Sequence, residues 1–277
     1  MLEIIILIAI ILGSLSVFCY FARRLDRQFH SMVEEEIQAL ESRAKESQDI
    51  QQAAVESLPG LVQSYLRRVL DIDRVFDDCV KISQVGEFRL GDESSWFPLE
   101  SVSHVLTSEL GFIWKASLNP GSRFTIFARD KLVDGQGFML MKPAYSRDME
   151  DRTGPEITTS MLVRYLSEIP WFPSSIVNNR ELEWIGEENN SVRVSTKVDD
   201  IRASGVFEFD EDGRIVKFST TERFQETEEG FTRVPWTLRY SDYKEFDGVE
   251  VPSEIEAAWT IDKKSFPYLR LERISAR

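Results

Sequence analysis

The chain has 277 residues, of which 42% are hydrophobic and 29% charged, a composition that suits a folded domain and excludes both disorder and a disulfide scaffold. Acidic residues outnumber basic ones by 47 to 33, and the net charge of -14 argues against nucleic acid as a partner. The two cysteines, Cys19 and Cys79, lie in different segments without a Cys-x-x-Cys pair. The sequence therefore indicates neither a disulfide nor a zinc site, and no metal or cofactor is expected.

The first segment predicts a transmembrane anchor over residues 1–24. Ile4 to Phe21 carries no charge and, as a helix, would span roughly 27 Å, which matches a hydrocarbon core. No basic residue precedes this span and no small-residue cleavage pattern follows it, which disfavours a cleaved signal peptide. Arg23, Arg24 and Arg27 follow the span, so the positive-inside bias predicts a cytoplasmic domain. The periplasmic or extracellular side is the alternative, because long domains can be translocated against a modest charge bias.

Residues 25–57 are expected to form a helical stalk. Apolar residues recur there at helical spacing, and the stripe consists of Leu25, Phe29, Met32, Val33, Ile37, Leu40 and Ala44. A homo-oligomer held by a short coiled coil is an open alternative, although the stripe weakens beyond Ala44. Leu58, Pro59 and Gly60 end the stalk, and Leu61 to Leu70 predicts a second short helix.

The remaining residues, 58–277, predict one antiparallel domain. Short alternating segments separated by Gly, Pro, Asn and Asp are typical of strands. Two hairpins are clear: one turns at Asp210 to Gly213, and the next turns at Phe246 to Gly248. Strands that follow one another through tight turns form a meander, which buries one face best by curving around a helix.

The only strongly helical passage within this domain is Ser160 to Ile169. Its apolar residues fall on one face, whereas Arg164 and Glu168 fall on the other, and Pro170 ends it. We therefore expect an α+β fold: a curved antiparallel sheet, or half-open barrel, wrapped around a central helix and preceded by the transmembrane helix and the helical stalk.

Several sequence blocks carry a resemblance. They are Leu-Pro-Gly-Leu-Val-Gln-Ser-Tyr-Leu-Arg-Arg-Val-Leu (58–70), Gly-Glu-Phe-Arg (86–89), Gly-Phe-Ile-Trp-Lys-Ala (111–116), Arg-Tyr-Leu-Ser-Glu (164–168), Trp-Phe-Pro (171–173) and Phe-Asp-Glu-Asp-Gly-Arg (209–214). Together they resemble an uncharacterised bacterial family of unknown function with an amino-terminal membrane helix, over about 58–273. The part from 209–214 to Tyr268 is also similar in texture to the half-open sheets of bacterial lipoprotein carriers, which are exported proteins. The first resemblance implies an architecture and no chemistry.

The candidate ligand-binding residues are large aromatic side chains and the polar pair of the predicted helix that begins at Ser160. Ligand sites are largely aromatic, and a sheet curved around one helix leaves a hollow. Plain core packing is the default expectation for these rings, and lining a cavity is the alternative. Arg164 and Glu168, in that order at a spacing of four, are expected to form a weak exposed pair. The candidates are Trp114, Arg164, Glu168, Trp171, Phe172, Trp184, Trp236 and Trp259.

The sequence favours a membrane-tethered, non-catalytic domain that binds an apolar or amphipathic small molecule, a lipid being one candidate. The only histidines are His30 and His104, and no nucleophile elbow, phosphate loop or dinucleotide fingerprint is present, so no catalytic residue is assigned. One alternative is a protein-interaction module with a fully packed core. Another is an enzyme that uses carboxylates, which would need two acidic groups facing one pocket.

Overall fold

The computed structural model describes residues 2–91, 94–121, 124–186, 189–227 and 230–276. The helices are α1 (Leu2–Glu41), α2 (Gln52–Glu56), α3 (Gly60–Val69), α4 (Pro155–Glu168), a 3₁₀ turn (Ile169–Trp171) and α5 (Ser175–Asn178). The first strands are β1 (Gln48–Asp49), β2 (Val75–Phe76), β3 (Cys79–Phe88), β4 (Phe97–Leu106), β5 (Gly111–Gly121), β6 (Phe124–Val133) and β7 (Gln136–Pro143). The later strands are β8 (Glu183–Gly186), β9 (Ser191–Val198), β10 (Ile201–Phe209), β11 (Ile215–Thr220), β12 (Phe224–Thr227), β13 (Gly230–Arg233), β14 (Trp236–Phe246), β15 (Val249–Ile261) and β16 (Lys264–Ala276).

One large antiparallel sheet dominates the described chain. Its order is β7-β6-β5-β4-β3-β16-β15-β14-β11-β10-β9-β8, so the last long strand joins the two halves by pairing with β3. Register shifts interrupt the pairing at Leu118/Gly121, Glu208/Phe209, Ala257/Ala258 and Arg273/Ser275. Such bulges bend a strand and increase its twist, so they favour a curved sheet.

The sheet curves around α4, which confirms the predicted arrangement of sheet and central helix. This helix contacts β6 and β7 at one edge and also β9 and β10 near the other, so the sheet bends far enough to place both ends against one helix. Among the described strands, β7 and β8 remain at opposite edges, so the sheet is not closed there.

The helix α4 is buried on all sides, which corrects the expectation of one apolar and one polar face. Every residue from Ile157 to Glu168 is buried, including Arg164, Ser167 and Glu168. The sequence pattern indicates one apolar stripe. In the structure β6, β7, β9 and β10 of the large sheet contact the helix, and β12 contacts it as well, so its polar residues are also covered. Helical periodicity shows which residues share a face of the helix, but it does not show that the polar face is also covered.

The predicted stalk is not a separate helix over residues 25–57. The helix α1 continues to Glu41, and the segment after it forms β1 and α2 instead of one further helix. The apolar stripe of α1 packs on the outer face of β4, β5 and β7, against Leu106, Ile113 and Leu140. The stripe is therefore buried within the chain, because the sheet covers the seam that a coiled coil would use.

Most side chains of the predicted membrane span, Ile4 to Phe21, lie outside the described residues, although its backbone is part of α1. Among the residues that are described, we find no helix with the length and apolar character that crossing a membrane requires. The anchor and the side of the membrane stay predictions.

Local turn chemistry explains the predicted hairpins, and both are confirmed. The strands β10 and β11 pair, as do β14 and β15. Asp247 and Gly248 have φ angles of 50° and 78°, the left-handed values that a two-residue hairpin turn requires. The second predicted helix is α3, and its buried residues join the main core.

Gly137 sets the close approach of β7 to α4. A Cβ atom at this position would lie 2.6 Å from the Thr158 Cα atom, and the Gly137 amide donates to Thr158 Oγ1 at 3.1 Å. We expect Gly137→Ala to lower the free energy of unfolding by about 1–3 kcal/mol, because the helix must shift to admit the methyl group. Urea unfolding measures this change. Gly121→Ala is the matched control, since its Cβ would meet open space, and equal losses in both variants would contradict the close approach.

Candidate functional site

A cavity of about 270 Å³ lies between α4 and the concave face of the sheet. The hairpin β12–β13 covers one side of this cavity, and its Phe224 amide donates to Ser160 Oγ on α4 at 3.2 Å. Most of the lining side chains are apolar. They include Phe88, Trp114, Met139, Met141, Ile157, Met161, Phe224, Phe231, Trp236, Leu238, Ile255, Trp259, Leu269 and Leu271.

One buried ion network stands in the cavity wall. The Arg164 guanidinium is 2.7 Å from Glu168 Oε1, 2.6 Å from Asp130 Oδ2 and 4.3 Å from the centre of the Trp114 ring. Burial lowers the pKa of Arg164, but Glu168 and Asp130 outweigh burial and hold that pKa above its usual value. The expectation of a weak exposed pair is therefore wrong: Arg164 and Glu168 are both buried, and β6 supplies the half-buried Asp130 as a third member.

A second arginine faces aromatic rings at the cavity. The Arg223 guanidinium lies 4.3 Å from the centre of the Trp236 ring and 5.8 Å from that of Trp259. Its Nη1 atom is buried without a hydrogen-bond partner among the described residues, and so is Nε1 of Trp114. Trp236 Nε1, by contrast, donates to the Tyr268 hydroxyl at 3.1 Å. A buried donor left unpaired costs about 1–3 kcal/mol, which a hydrogen-bond acceptor in the cavity would offset.

The structure brings five of the eight predicted site residues together. Trp114, Arg164, Glu168, Trp236 and Trp259 all line this cavity.

The three other candidates lie elsewhere. Trp171 and Phe172 are buried at the far end of α4 and line a separate cavity of about 180 Å³ beside β2. Trp171 Nε1 donates to the Pro252 carbonyl at 2.8 Å, as expected of a core anchor. Trp184 stacks on Phe207 with ring centres 6.0 Å apart and does not line the main cavity.

The sequence reading missed the groups that distant strands contribute. Asp130 is one of them, and Arg223, Phe224 and Phe231 come from the hairpin that covers the cavity. Phe224 and Phe231 flank a short acidic turn, a pattern that only weakly indicates a hairpin packed against another surface. In the structure Phe231 is still 37% exposed. No local pattern indicates which surface these rings would cover.

A larger depression, of about 660 Å³, lies on the outer face of β14, β15 and β16. It is an open groove whose wall carries five charged side chains: Arg239, Glu254, Glu256, Arg270 and Glu272. Because these charged groups lie on an exposed face, the groove lacks the mostly apolar lining that small-molecule sites have. The cavity beside α4, whose lining is mostly apolar, is therefore the better candidate site.

One group of potential metal ligands lies away from the cavity. Among the described residues, Glu41, Cys79 and His104 place a carboxylate oxygen, a sulfur and a ring nitrogen within 4.8 Å of one another. Burial raises the pKa of Cys79 to about 11 and lowers the pKa of His104. The sequence reading assigned no zinc site, because Cys79 has no Cys or His neighbour along the chain.

Comparison with known proteins gives one family match. The model for a family of unknown function, DUF6544, matches residues 48–271. No curated protein matches the chain.

Two solved structures are similar in fold. A LolA superfamily protein from Nitrosomonas europaea has 8% sequence identity and a TM-score of 0.36, with 78% of this chain and 91% of that chain covered. A DUF1329 family protein from Desulfovibrio piger has 10% identity and a TM-score of 0.42, with 83% and 93% covered. At these identities and scores the likenesses say nothing about function.

Proposed function

The chain belongs to DUF6544, a family of unknown function, and we propose that it binds an apolar or amphipathic small molecule, without catalysis, in the cavity beside α4. The family match confirms the resemblance to an uncharacterised family. The observation that carries the proposal is the cavity itself, whose wall combines aromatic and methionine side chains with a smaller set of polar groups. Specific small-molecule sites have this combination.

The polar groups of the wall favour an amphiphile with an acidic head group. Arg164 is neutralised by Glu168 and Asp130, whereas Arg223 has a buried Nη1 atom without a partner among the described residues. A carboxylate or similar anion beside Arg223 would accept a charge-assisted hydrogen bond from this Nη1 atom. Trp236 and Trp259 would then contact the apolar body next to the head group.

The volume limits the size of the ligand. About 270 Å³ is just below the usual range of roughly 300–1,000 Å³ for ligand pockets, so the cavity suits one slender molecule. A single acyl chain fits this description better than a lipid with several chains.

The alternatives receive less support. An interaction module would have a fully packed interior, whereas the described residues leave a cavity. Asp130 and Glu168 do line that cavity together, as a carboxylate enzyme would need, but both are paired with the same guanidinium. The membrane tether remains part of the proposal on the strength of the charge-free span Ile4 to Phe21.

The test uses a fluorescent fatty acid with a conjugated polyene chain and the corresponding alcohol, titrated into the full chain in lipid nanodiscs with empty nanodiscs as the blank. We expect Arg223→Gln to weaken binding of the acid about ten- to hundredfold, because a charged hydrogen bond is lost, and to leave the alcohol nearly unchanged. Arg270→Gln is the matched control: Arg270 also lies over a tryptophan, Trp96, but on the outer face. Failure of the parent chain to bind either probe would refute the proposed function.

A further inference from the structure

Three side chains of ligating type meet where α1 ends on the outer face of the sheet. His104 Nδ1 lies 2.8 Å from Glu41 Oε1, and the Cys79 sulfur completes a group whose members lie within 4.8 Å of one another. Strand register explains the meeting of Cys79 and His104. Cys79 pairs with Leu106 and Lys81 with His104, so Cys79 and His104 are diagonal neighbours on one face of an antiparallel pair.

The residue types suit zinc. Zn²⁺ binds Cys sulfur, His nitrogen and Asp or Glu oxygen, and three protein ligands leave the fourth tetrahedral position for water. The chain has two cysteines and two histidines in 277 residues, and one of each lies in this group. A thiolate and a carboxylate together would balance the charge of the ion.

Neighbouring hydrogen bonds hold this group in place. Asp78, which precedes Cys79, is buried and accepts from the Lys45 amide at 2.8 Å, just after α1. It also accepts from the Ser108 amide at 2.8 Å and from the Thr107 hydroxyl at 3.0 Å, just after β4. One carboxylate therefore joins the ends of the three elements that carry the ligands. Such supporting contacts orient ligands in metal sites.

We propose that Glu41, Cys79 and His104 bind one Zn²⁺ ion and thereby fasten the end of α1 to β3 and β4. The Cys79 thiol loses its proton to solvent as the zinc–sulfur bond forms. The hydrogen bond between His104 and Glu41 is replaced by two bonds to the metal, with the imidazole proton on the other ring nitrogen. The site shares no residue with the cavity beside α4, so it stands or falls independently of the proposed function.

The test uses the full chain with Cys19→Ser, which leaves Cys79 as the only thiol. We expect titration with Co²⁺ to give one bound ion per chain and a thiolate-to-cobalt charge-transfer absorption, which Zn²⁺ removes because it binds more tightly. Cys79→Ser should abolish the absorption. His104→Gln should raise the Kd more than about tenfold, since loss of a direct ligand costs at least as much as loss of a supporting contact. His30→Gln, which alters the other histidine, should leave it unchanged.

A second variant keeps the test decisive if Cys79→Ser fails to fold. Glu41 is exposed, so Glu41→Gln is expected to keep the parent melting temperature without metal and to lose the rise in Tm that Zn²⁺ gives the parent chain. The proposal is overturned if the parent chain gives no charge-transfer absorption. It is also overturned if Zn²⁺ raises the Tm of Glu41→Gln and of the parent equally.

Discussion

Trp171→Ala is expected to lower the free energy of unfolding by about 3–5 kcal/mol, the usual cost of removing a large buried aromatic side chain. Trp171 is 3% exposed and donates to the Pro252 carbonyl, so the variant loses both packing and a buried hydrogen bond. It lies outside the cavity beside α4, so affinity for the fluorescent polyene fatty acid should stay within about twofold of the parent. Urea unfolding and probe titration on the full chain measure the two quantities.

Trp184→Ala is the control for Trp171→Ala. Trp184 is half-buried and also lies outside the cavity, so this variant should be less destabilised and should bind the probe as the parent does. The account of Trp171 as a core anchor would be contradicted by a stable Trp171→Ala chain that no longer binds the probe.

Arg129→Met is expected to have the second large effect on stability. Arg129 is 0% exposed, with its Nε 3.0 Å from Glu36 Oε2 on α1 and its Nη2 2.5 Å from Asp151 Oδ1. Removing one partner of a buried ion pair usually costs about 3–5 kcal/mol, because the remaining charge is left uncompensated, but Glu36 and Asp151 are half-buried and solvent offsets part of this cost. Lys131 still pairs with Glu36 at 2.5 Å, so we expect a loss near the lower end of that range, about 3 kcal/mol.

Arg270→Met controls for the removal of an arginine from an ion pair. Arg270 pairs with Glu256 at 2.9 Å on the exposed outer face, and exposed pairs contribute only about 0–1 kcal/mol. Unfolding in guanidinium chloride should therefore show a clearly larger loss of unfolding free energy for Arg129→Met than for Arg270→Met. Equal losses would show that the buried network does not fasten α1 to the sheet.

Local patterns predicted much of this fold. Pro170 and the apolar residues before it indicate where α4 ends, and Asp247 with Gly248 indicates a hairpin turn. In such cases the residues that determine an element lie within that element, so they can be recognised from the sequence.

The partner of a surface is what the sequence does not show. The α1 stripe suggested a second copy of the chain, but its partner is the outer face of the sheet. Arg164 and Glu168 looked like an exposed pair because Asp130, 34 residues away, could not be placed beside them. Cys79 and His104 meet only because the β3–β4 register places them on one face. In each case the deciding contact joins residues far apart in the chain.

The aromatic candidates show the same limit. Trp171 and Phe172 follow directly after α4, but they line the separate cavity beside β2, whereas the main cavity extends along α4 from Ile157 to Glu168. Trp236 and Trp259 reach the cavity because β14 and β15 pair with these two residues opposite each other on the concave face. Alternation along one strand could give their face but not their neighbours.

The most direct test of the central claim is photo-labelling of the full chain with a fatty acid that carries a diazirine in its chain, followed by peptide mapping. If the cavity beside α4 is the binding site, labels will concentrate on the peptides that contain Met139, Met161 and Phe231, and excess unlabelled fatty acid will remove them. Labels confined to the outer groove of β14–β16 or to α1, or labels that unlabelled fatty acid does not displace, would contradict binding in this cavity.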